Sequence, residues 1–457
     1  MIYPPSESFF IKKDKIFYGL APPLGLLYLA TVLEKHGDTV SILDFSAEQY
    51  DKEKLVFEMK SADVIGITVL TISLKNTIDI IEEIKNENPK IPVVIGGPHC
   101  TLFPKKVLEE SKADISVEGD GEESIISIKK AILGEINLSD INGIFYRKDD
   151  EILQGRPMQL ISNLNDLSYP ARHLVKKYVY GKYLDSNIKK GSFTSIITSR
   201  GCPFSCYFCS RNSPTMRRYR TRDINDIKKE IKQISNAGYN YLAFNDDCFL
   251  SNKKQAEEIF DFIIKERLDM KIFITAARVD SADEKLYFKM KKAGVCMLQF
   301  GLESGNQDVL DFYNKKTKLD EIRYAVNLSS KVGFFTVGSF ILGAPFETKY
   351  HFKNTVSFAK SLPINSVSFL PLMYMAGSKL WNDAVSDGKI SSDDYLVYAD
   401  SNIKLGQFSK NQLINYCTNA QFSFYFRIKF IIDLIKICLK QNDFSFLNAY
   451  ISFIFKR

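Results

Sequence analysis

The chain has 457 residues, too many for one ordinary domain and enough for two or three. Hydrophobic residues make up 45% and charged residues 25%, which predicts a packed core and excludes a disordered chain. Of the net charge of +7, residues 401–457 carry +6, so the main body is near neutral and a general nucleic-acid-binding field is not expected there.

Taken in chain order, the first third alternates strand and helix. Residues 39–45, 63–70, 92–95 and 114–117 read as short buried strands. Between them, residues 22–36 form a helix opened by proline and closed by Gly37, and residues 76–88 form another with Ile78, Ile81 and Ile84 on one face. This alternation predicts a doubly wound, Rossmann-like parallel sheet over residues 1–135, with ligands at the carboxyl ends of its strands. Those ends carry Asp44, Thr68, the run Gly96-Gly97-Pro98-His99 and the run from Glu118 and Gly119 to Glu122. The glycines fit either close approach of a ligand or plain tight turns.

Residues 136–190 read as a linker with short elements. A second alternation follows over residues 191–400, with strands expected at 194–198, 241–244, 272–275, 297–300, 336–342 and 366–370. Six strands with helices between them predict a partial (βα)6 TIM-type barrel, with the chemistry at the C-terminal strand ends. Residues 401–457 form a helical tail in which Phe422, Phe424, Phe426, Phe430, Ile431, Leu434, Ile437 and Leu439 alternate with lysines. Two readings fit: a helix docked on the barrel, or a basic amphipathic surface making peripheral membrane contact. No apolar run is long enough to span a bilayer and no signal peptide is visible, so the expected location is cytoplasmic, membrane-associated if the second reading of the tail holds.

Of eight cysteines, Cys100, Cys248, Cys296, Cys417 and Cys438 stand singly and read as buried thiols. Cys202, Cys206 and Cys209 cluster in one short loop after the first barrel strand. Three thiolates there suit three corners of an iron–sulfur cubane, leaving the fourth iron open. A structural zinc site would want four ligands, usually from two separated pairs. Free structural thiols are the third alternative.

The CxxxCxxC loop, with Phe208 just before its last cysteine, resembles the signature of radical S-adenosylmethionine (SAM) enzymes. The resemblance extends over most of residues 193–381. It implies that a [4Fe-4S] cluster sits on the three cysteines. It also implies SAM contacts at Phe208, at Asp246 and Asp247 after the second strand, and at Arg278 after the third. Glu303 and Ser304 end the fourth strand, where such enzymes meet the ribose, and Gly338 and Gly343 lie on the fifth, against the adenine. The first third resembles the cobalamin-binding domain of one large radical SAM subfamily, which includes methylases and the anaerobic ring cyclase of chlorophyll synthesis. On that resemblance Gly25, Asp44, Thr68, Gly96, Gly97, His99, Glu118 and Gly119 contact cobalamin. Two departures stand out. Met1-Ile-Tyr-Pro-Pro leaves almost no first strand, so the strand is minimal or the chain begins late. No DxHxxG segment supplies a lower histidine ligand, and His99 is in the wrong context for one.

The resemblance implies one-electron cleavage of SAM to a 5′-deoxyadenosyl radical and cobalamin-dependent methylation of an unactivated carbon. The partners it implies are a small-molecule substrate and an electron donor such as flavodoxin or ferredoxin. Cyclisation, rearrangement or oxidation with the same parts is the alternative, with a cobalamin-binding sensor or carrier as a third. Tyr313, Tyr374 and Cys248 lie near expected strand ends and fit either relay or packing roles. No catalytic residue is assigned from sequence.

Overall fold

A computed structural model describes residues 1–5, 20–185 and 187–428, together with Phe430, Ile432 and Ile435. The chain divides into two compact units: Met1–Ile196 with Ser213–Tyr239, and Ile197–Asn212 with the chain from Asn240 onward.

The first unit holds a seven-stranded sheet. Numbered in chain order, its strands lie 2-1-3-4-5-6-7. Ile2–Tyr3 is a two-residue strand, yet it pairs in parallel with both Leu43–Asp44 and Ile65–Thr68. Ile65–Thr68, Val93–Gly96 and Ile115–Val117 continue the parallel sheet. The order 2-1-3-4-5 reverses direction between the first and third strands, and ligands of such sheets bind outside the carboxyl ends at that point. The short elements expected between 136 and 190 include a hairpin, Ile144–Lys148 and Glu151–Gln154, which adds two antiparallel strands to this sheet.

The strands pack because they are near-continuous apolar runs. Ile65, Ile67, Val93, Ile95 and the helix Leu74–Glu87 share one core. The buried face of that helix is Thr77, Ile80, Ile81 and Ile84. It is therefore rotated from the expected Ile78–Ile81–Ile84 line, and Ile78 is only partly buried. Helix Leu24–Lys35 forms as expected, closed at Gly37 by N–H bonds back to Glu34 and Leu33 carbonyls.

All six strands expected of the second alternation form: Phe193–Ile196, Tyr241–Phe244, Lys271–Ala277, Val295–Glu303, Phe335–Leu342 and Ser366–Pro371. The last five pair in parallel in sequential order. Helices Lys253–Lys265, Glu284–Lys292, Leu319–Val332 and Lys349–Ser361 alternate with them. Two of these begin on capping side chains, Asn252 accepting from Gln255 N–H and Asp283 accepting from Leu286 N–H. Helix Lys410–Tyr425 docks on the edge strand. Tyr425 Oη bonds both the N–H and the carbonyl of Val367, and Gln421 accepts from Phe369 N–H. The docked reading of the tail holds for this helix. Ile431, Leu434, Ile437 and Leu439 lie outside the described residues, and no described helix is long and apolar enough to cross a membrane.

Candidate active site

The cysteine loop follows Phe193–Ile196 directly and is braced along its length. At its base, Asp246 accepts from Thr198 N–H at 3.0 Å, Thr198 Oγ1 at 2.7 Å and Ser199 Oγ at 2.6 Å. Burial pushes the Asp246 acid up to about 6, against those hydrogen bonds, which pull it down. In the middle, the Arg278 guanidinium lies 3.7 Å from the Phe204 ring centroid. Its Nε and Nη2 are held by Asp280, its Nη2 also by the Lys315 carbonyl at 2.8 Å, and its Nη1 is 3.9 Å from Cys206 Sγ. Farther along, Asn314 Nδ2 donates to the Ser205 carbonyl at 2.9 Å and Tyr207 N–H donates to the Tyr313 carbonyl at 3.0 Å. The Phe208 ring meets Tyr313 edge-on at 5.3 Å.

Cys202, Cys206 and Cys209 are free, partly buried thiols on this braced loop. Burial pushes the Cys202 thiol up and the Cys209 thiol up to about 11, so metal binding here displaces protons. Three thiols on one short loop suit a cubane, whose three thiolates bind separate irons at separate corners. The donor set therefore fits a cluster. The single cysteines behave as expected where they are described: Cys100, Cys248 and Cys417 are buried, and Cys296 is half-buried with its thiol on the Ile272 carbonyl. Cys438 lies outside the described residues.

The other positions expected to contact SAM lie at strand ends, except Gly338, which is inside the Phe335–Leu342 strand. Asp247 pairs with Arg211 Nε at 3.0 Å. Glu303 has φ +62° at the end of its strand, and its carboxylate meets Lys315 Nζ at 2.6 Å with both side chains about 7% exposed. Ser304 Oγ shares a network with Thr355 and Asn306. Gly338 faces Leu302 and Ile364, and a Cβ there would lie 2.9 Å from Leu302 Cδ1. Gly343 and Ala344 N–H groups both donate to Glu347 Oε2 at 2.7 Å, while Glu347 Oε1 meets no donor among the described residues. Burial pushes the Glu347 acid up to about 7. Tyr313 and Tyr374 are buried, the latter donating to the Leu405 carbonyl. Sequence reading missed Lys315. Nothing in Asn314-Lys315-Lys316 distinguishes the buried lysine from its exposed neighbour.

In the first unit, Thr68 pairs with Gly96 across the sheet, so Thr68, Gly96, Gly97, Glu118 and Gly119 gather at one carboxyl edge. Gly97 has φ +103°, and a Cβ on it would sit 2.8 Å from Thr68 Oγ1. Gly119 has φ +80°, and a Cβ there would meet Met158 at 3.0 Å. Both positions need glycine, since each φ is left-handed and the space a Cβ would take is filled by Thr68 and Val69 or by Met158 and Leu160. Thr101, which sequence reading did not single out, joins the two loops: Oγ1 donates to the Gly97 carbonyl and accepts from Gly119 N–H. Gly25 is exposed in the first turn of its helix, with open space where a Cβ would stand. Burial pushes the Glu118 acid up. Asp44 is fully buried and accepts from Ser46 N–H, Ser46 Oγ and Tyr180 Oη, so its carboxylate is spent inside the unit. His99 is fully buried, with Nδ1 3.2 Å from Thr71 Oγ1, and burial lowers its ring to about 4. The exposed helix start and glycine-lined edge fit a large planar cofactor.

A parallel-sheet scaffold with a three-cysteine loop at a strand end, together with a second α/β unit, fits an iron–sulfur enzyme with a second cofactor domain. The profile of the Radical SAM superfamily matches residues 196–359, and that of the B12 binding domain matches residues 17–129. An uncharacterized methyltransferase of Pyrococcus horikoshii is 31% identical over 94% of this chain and 93% of its own length. Cytidylyl-2-hydroxyethylphosphonate methyltransferase of Streptomyces wedmorensis is 26% identical over 82% of this chain and 80% of its own. Among solved structures, the radical SAM methyltransferase TsrM of Kitasatospora setae, with cobalamin and a [4Fe-4S] cluster bound, shares the fold. The TM-score is 0.69 at 18% identity, covering 84% of this chain and 74% of that one. The chain belongs to the cobalamin-binding radical SAM family.

Proposed function

We propose that this enzyme methylates an unactivated carbon of a small-molecule substrate, using a [4Fe-4S] cluster on Cys202, Cys206 and Cys209, SAM and cobalamin. The braced cysteine loop carries the reading: three thiols are fixed on one strand-end loop. When bound, these cofactors supply one-electron cleavage of SAM and a methyl carrier. The chain's own residues position them. Asp246 fixes the base of the loop and Arg278 holds its middle. The backbone at Gly97 and Gly119 receives cobalamin, and His99, buried against Thr71 and Phe103, is not presented as a lower ligand. Asp247, Glu303, Ser304, Gly338 and Gly343 lie where SAM contacts are expected, and a flavodoxin or ferredoxin is the suited electron donor.

Mass spectrometry of anaerobic, reconstituted protein incubated with reductant, hydroxocobalamin and SAM deuterated in its methyl group tests the reading. Methylation requires the label in the product, with 5′-deoxyadenosine and S-adenosylhomocysteine both formed. A base-off cobalamin spectrum that His99→Ala leaves unchanged is expected alongside. Cobalamin binding with 5′-deoxyadenosine alone would favour cyclisation or rearrangement, and no cobalamin binding would remove methylation.

A further inference from the structure

We infer that Arg278 sets the reduction potential of the cluster, a role that rests on the cluster assignment above and goes beyond contact with SAM. Three of its features point there. Its Nε and Nη2 are committed to Asp280 and to the Lys315 carbonyl, while the one partner of Nη1 among the described residues is the sulfur of Cys206, at 3.9 Å. The guanidinium is locked in that pose by the Phe204 ring, which belongs to the cysteine loop itself. The side chain is about 8% exposed, so its charge is poorly screened by solvent and salt. A second buried cation, Lys315, lies within electrostatic reach of the same cysteine.

Uptake of one electron makes a cluster with three thiolates more negative, and part of that charge resides on the ligand sulfurs. A fixed cation and an N–H donor at one sulfur therefore stabilise the reduced form more than the oxidised one. Net charge, hydrogen bonds to sulfur and solvent exposure are the levers that set such potentials. Asp280 opposes the effect, because its carboxylate partly neutralises the guanidinium. Arg278 and Asp280 thus act as a pair with opposite signs on the potential.

The test is a dithionite titration of the reconstituted full chain without SAM, followed by electron paramagnetic resonance and with iron content matched among variants. Arg278→Gln is expected to lower the equilibrium constant for reduction at least tenfold, ~59 mV for a one-electron couple. Asp280→Asn is expected to shift the potential the opposite way, since the guanidinium keeps its charge and loses its counter-charge. If Arg278→Gln does not assemble a cluster, the direction of the Asp280→Asn shift decides. Variants that hold the cluster and titrate with the wild type overturn the inference while leaving the cluster assignment intact. A wild-type chain that assembles no cluster overturns both.

Discussion

At the scale of single residues, the site is a set of buried charges arranged around a loop of thiols. Replacing Cys202, Cys206 or Cys209 by alanine is expected to abolish SAM cleavage, because each removes a cluster corner. Cys296→Ala is expected to leave cleavage intact, since that thiol lies outside the cysteine loop, on the Val295–Glu303 strand, where it bonds the Ile272 carbonyl. Iron analysis and 5′-deoxyadenosine formation check both outcomes, and full cleavage by Cys206→Ala would sink the assignment. Glu303 makes a different prediction. Its alanine variant leaves Lys315 buried without its counter-charge, which typically costs ~3–5 kcal/mol. Glu303→Ala with Lys315→Met should recover most of that loss, because neither charge then remains buried. Denaturant midpoints measure the recovery. A double variant no more stable than Glu303→Ala would show that the pair is not what holds this loop.

At the scale of elements, the strand ends do the positioning. Gly97→Ala forces a side chain into a φ of +103° and against Thr68 Oγ1, so it should destabilise the first unit and weaken hydroxocobalamin binding together. Gly25→Ala separates the two effects. It has open space and lies in a helix, so stability should rise by ~0.5–1 kcal/mol while cobalamin affinity falls if the cofactor rests on that helix end. Spectroscopic titration beside a denaturation curve reads both quantities, and unchanged affinity in Gly25→Ala would move the cofactor off that helix. At the end of the Phe335–Leu342 strand, burial raises Glu347 from 4.5 to about 7. The fold therefore favours the neutral acid. Its contribution is fully present below pH 4.5 and is lost as the pH rises to about 7, a loss of about 3 kcal/mol. Glu347→Gln keeps an acceptor for Gly343 and Ala344 N–H and cannot ionise. Its denaturation midpoint should therefore fall less between pH 5 and pH 8 than that of the wild type.

At the scale of the whole molecule, the fold holds two large sheets, of seven and six strands, each with a run of parallel strands. A ligand that binds only the folded first unit should stabilise it by about 2.7 kcal/mol at a hundredfold excess over its dissociation constant. Hydrogen exchange with and without hydroxocobalamin is expected to show that protection at the amides around Gly97, Thr101 and Gly119. Protection absent from those amides would place cobalamin elsewhere. The docked helix Lys410–Tyr425 belongs to the second unit's packing, where Lys360 Nζ reaches Ser423 and Arg427 reaches the Lys360 carbonyl.

The sequence by itself determined the α/β alternation, all six strands from Phe193 on and the three cysteines, because these are properties of neighbouring residues. Apolar runs make strands, proline and glycine bound helices, and ligands four and three residues apart read as one loop. It also marked the glycine edge at Gly96–Gly97 and Gly119, where loop glycines follow buried strands. It misplaced the buried face of Leu74–Glu87 by part of a turn, since Ile78, Ile80 and Ile81 are equally apolar and the sheet beneath chooses among them. Only the tertiary structure decided which charges are buried and against what. Arg278 meets a sulfur 72 positions away, Thr198 meets an aspartate 48 positions away, and Lys315 is buried while Lys316 is exposed. It also spent Asp44 on Ser46 and Tyr180 and turned His99 inward. A side chain's type is fixed by sequence, but its partner is fixed by which strand ends the sheet brings together. That is why the cluster loop was legible in advance and the network that braces it was not.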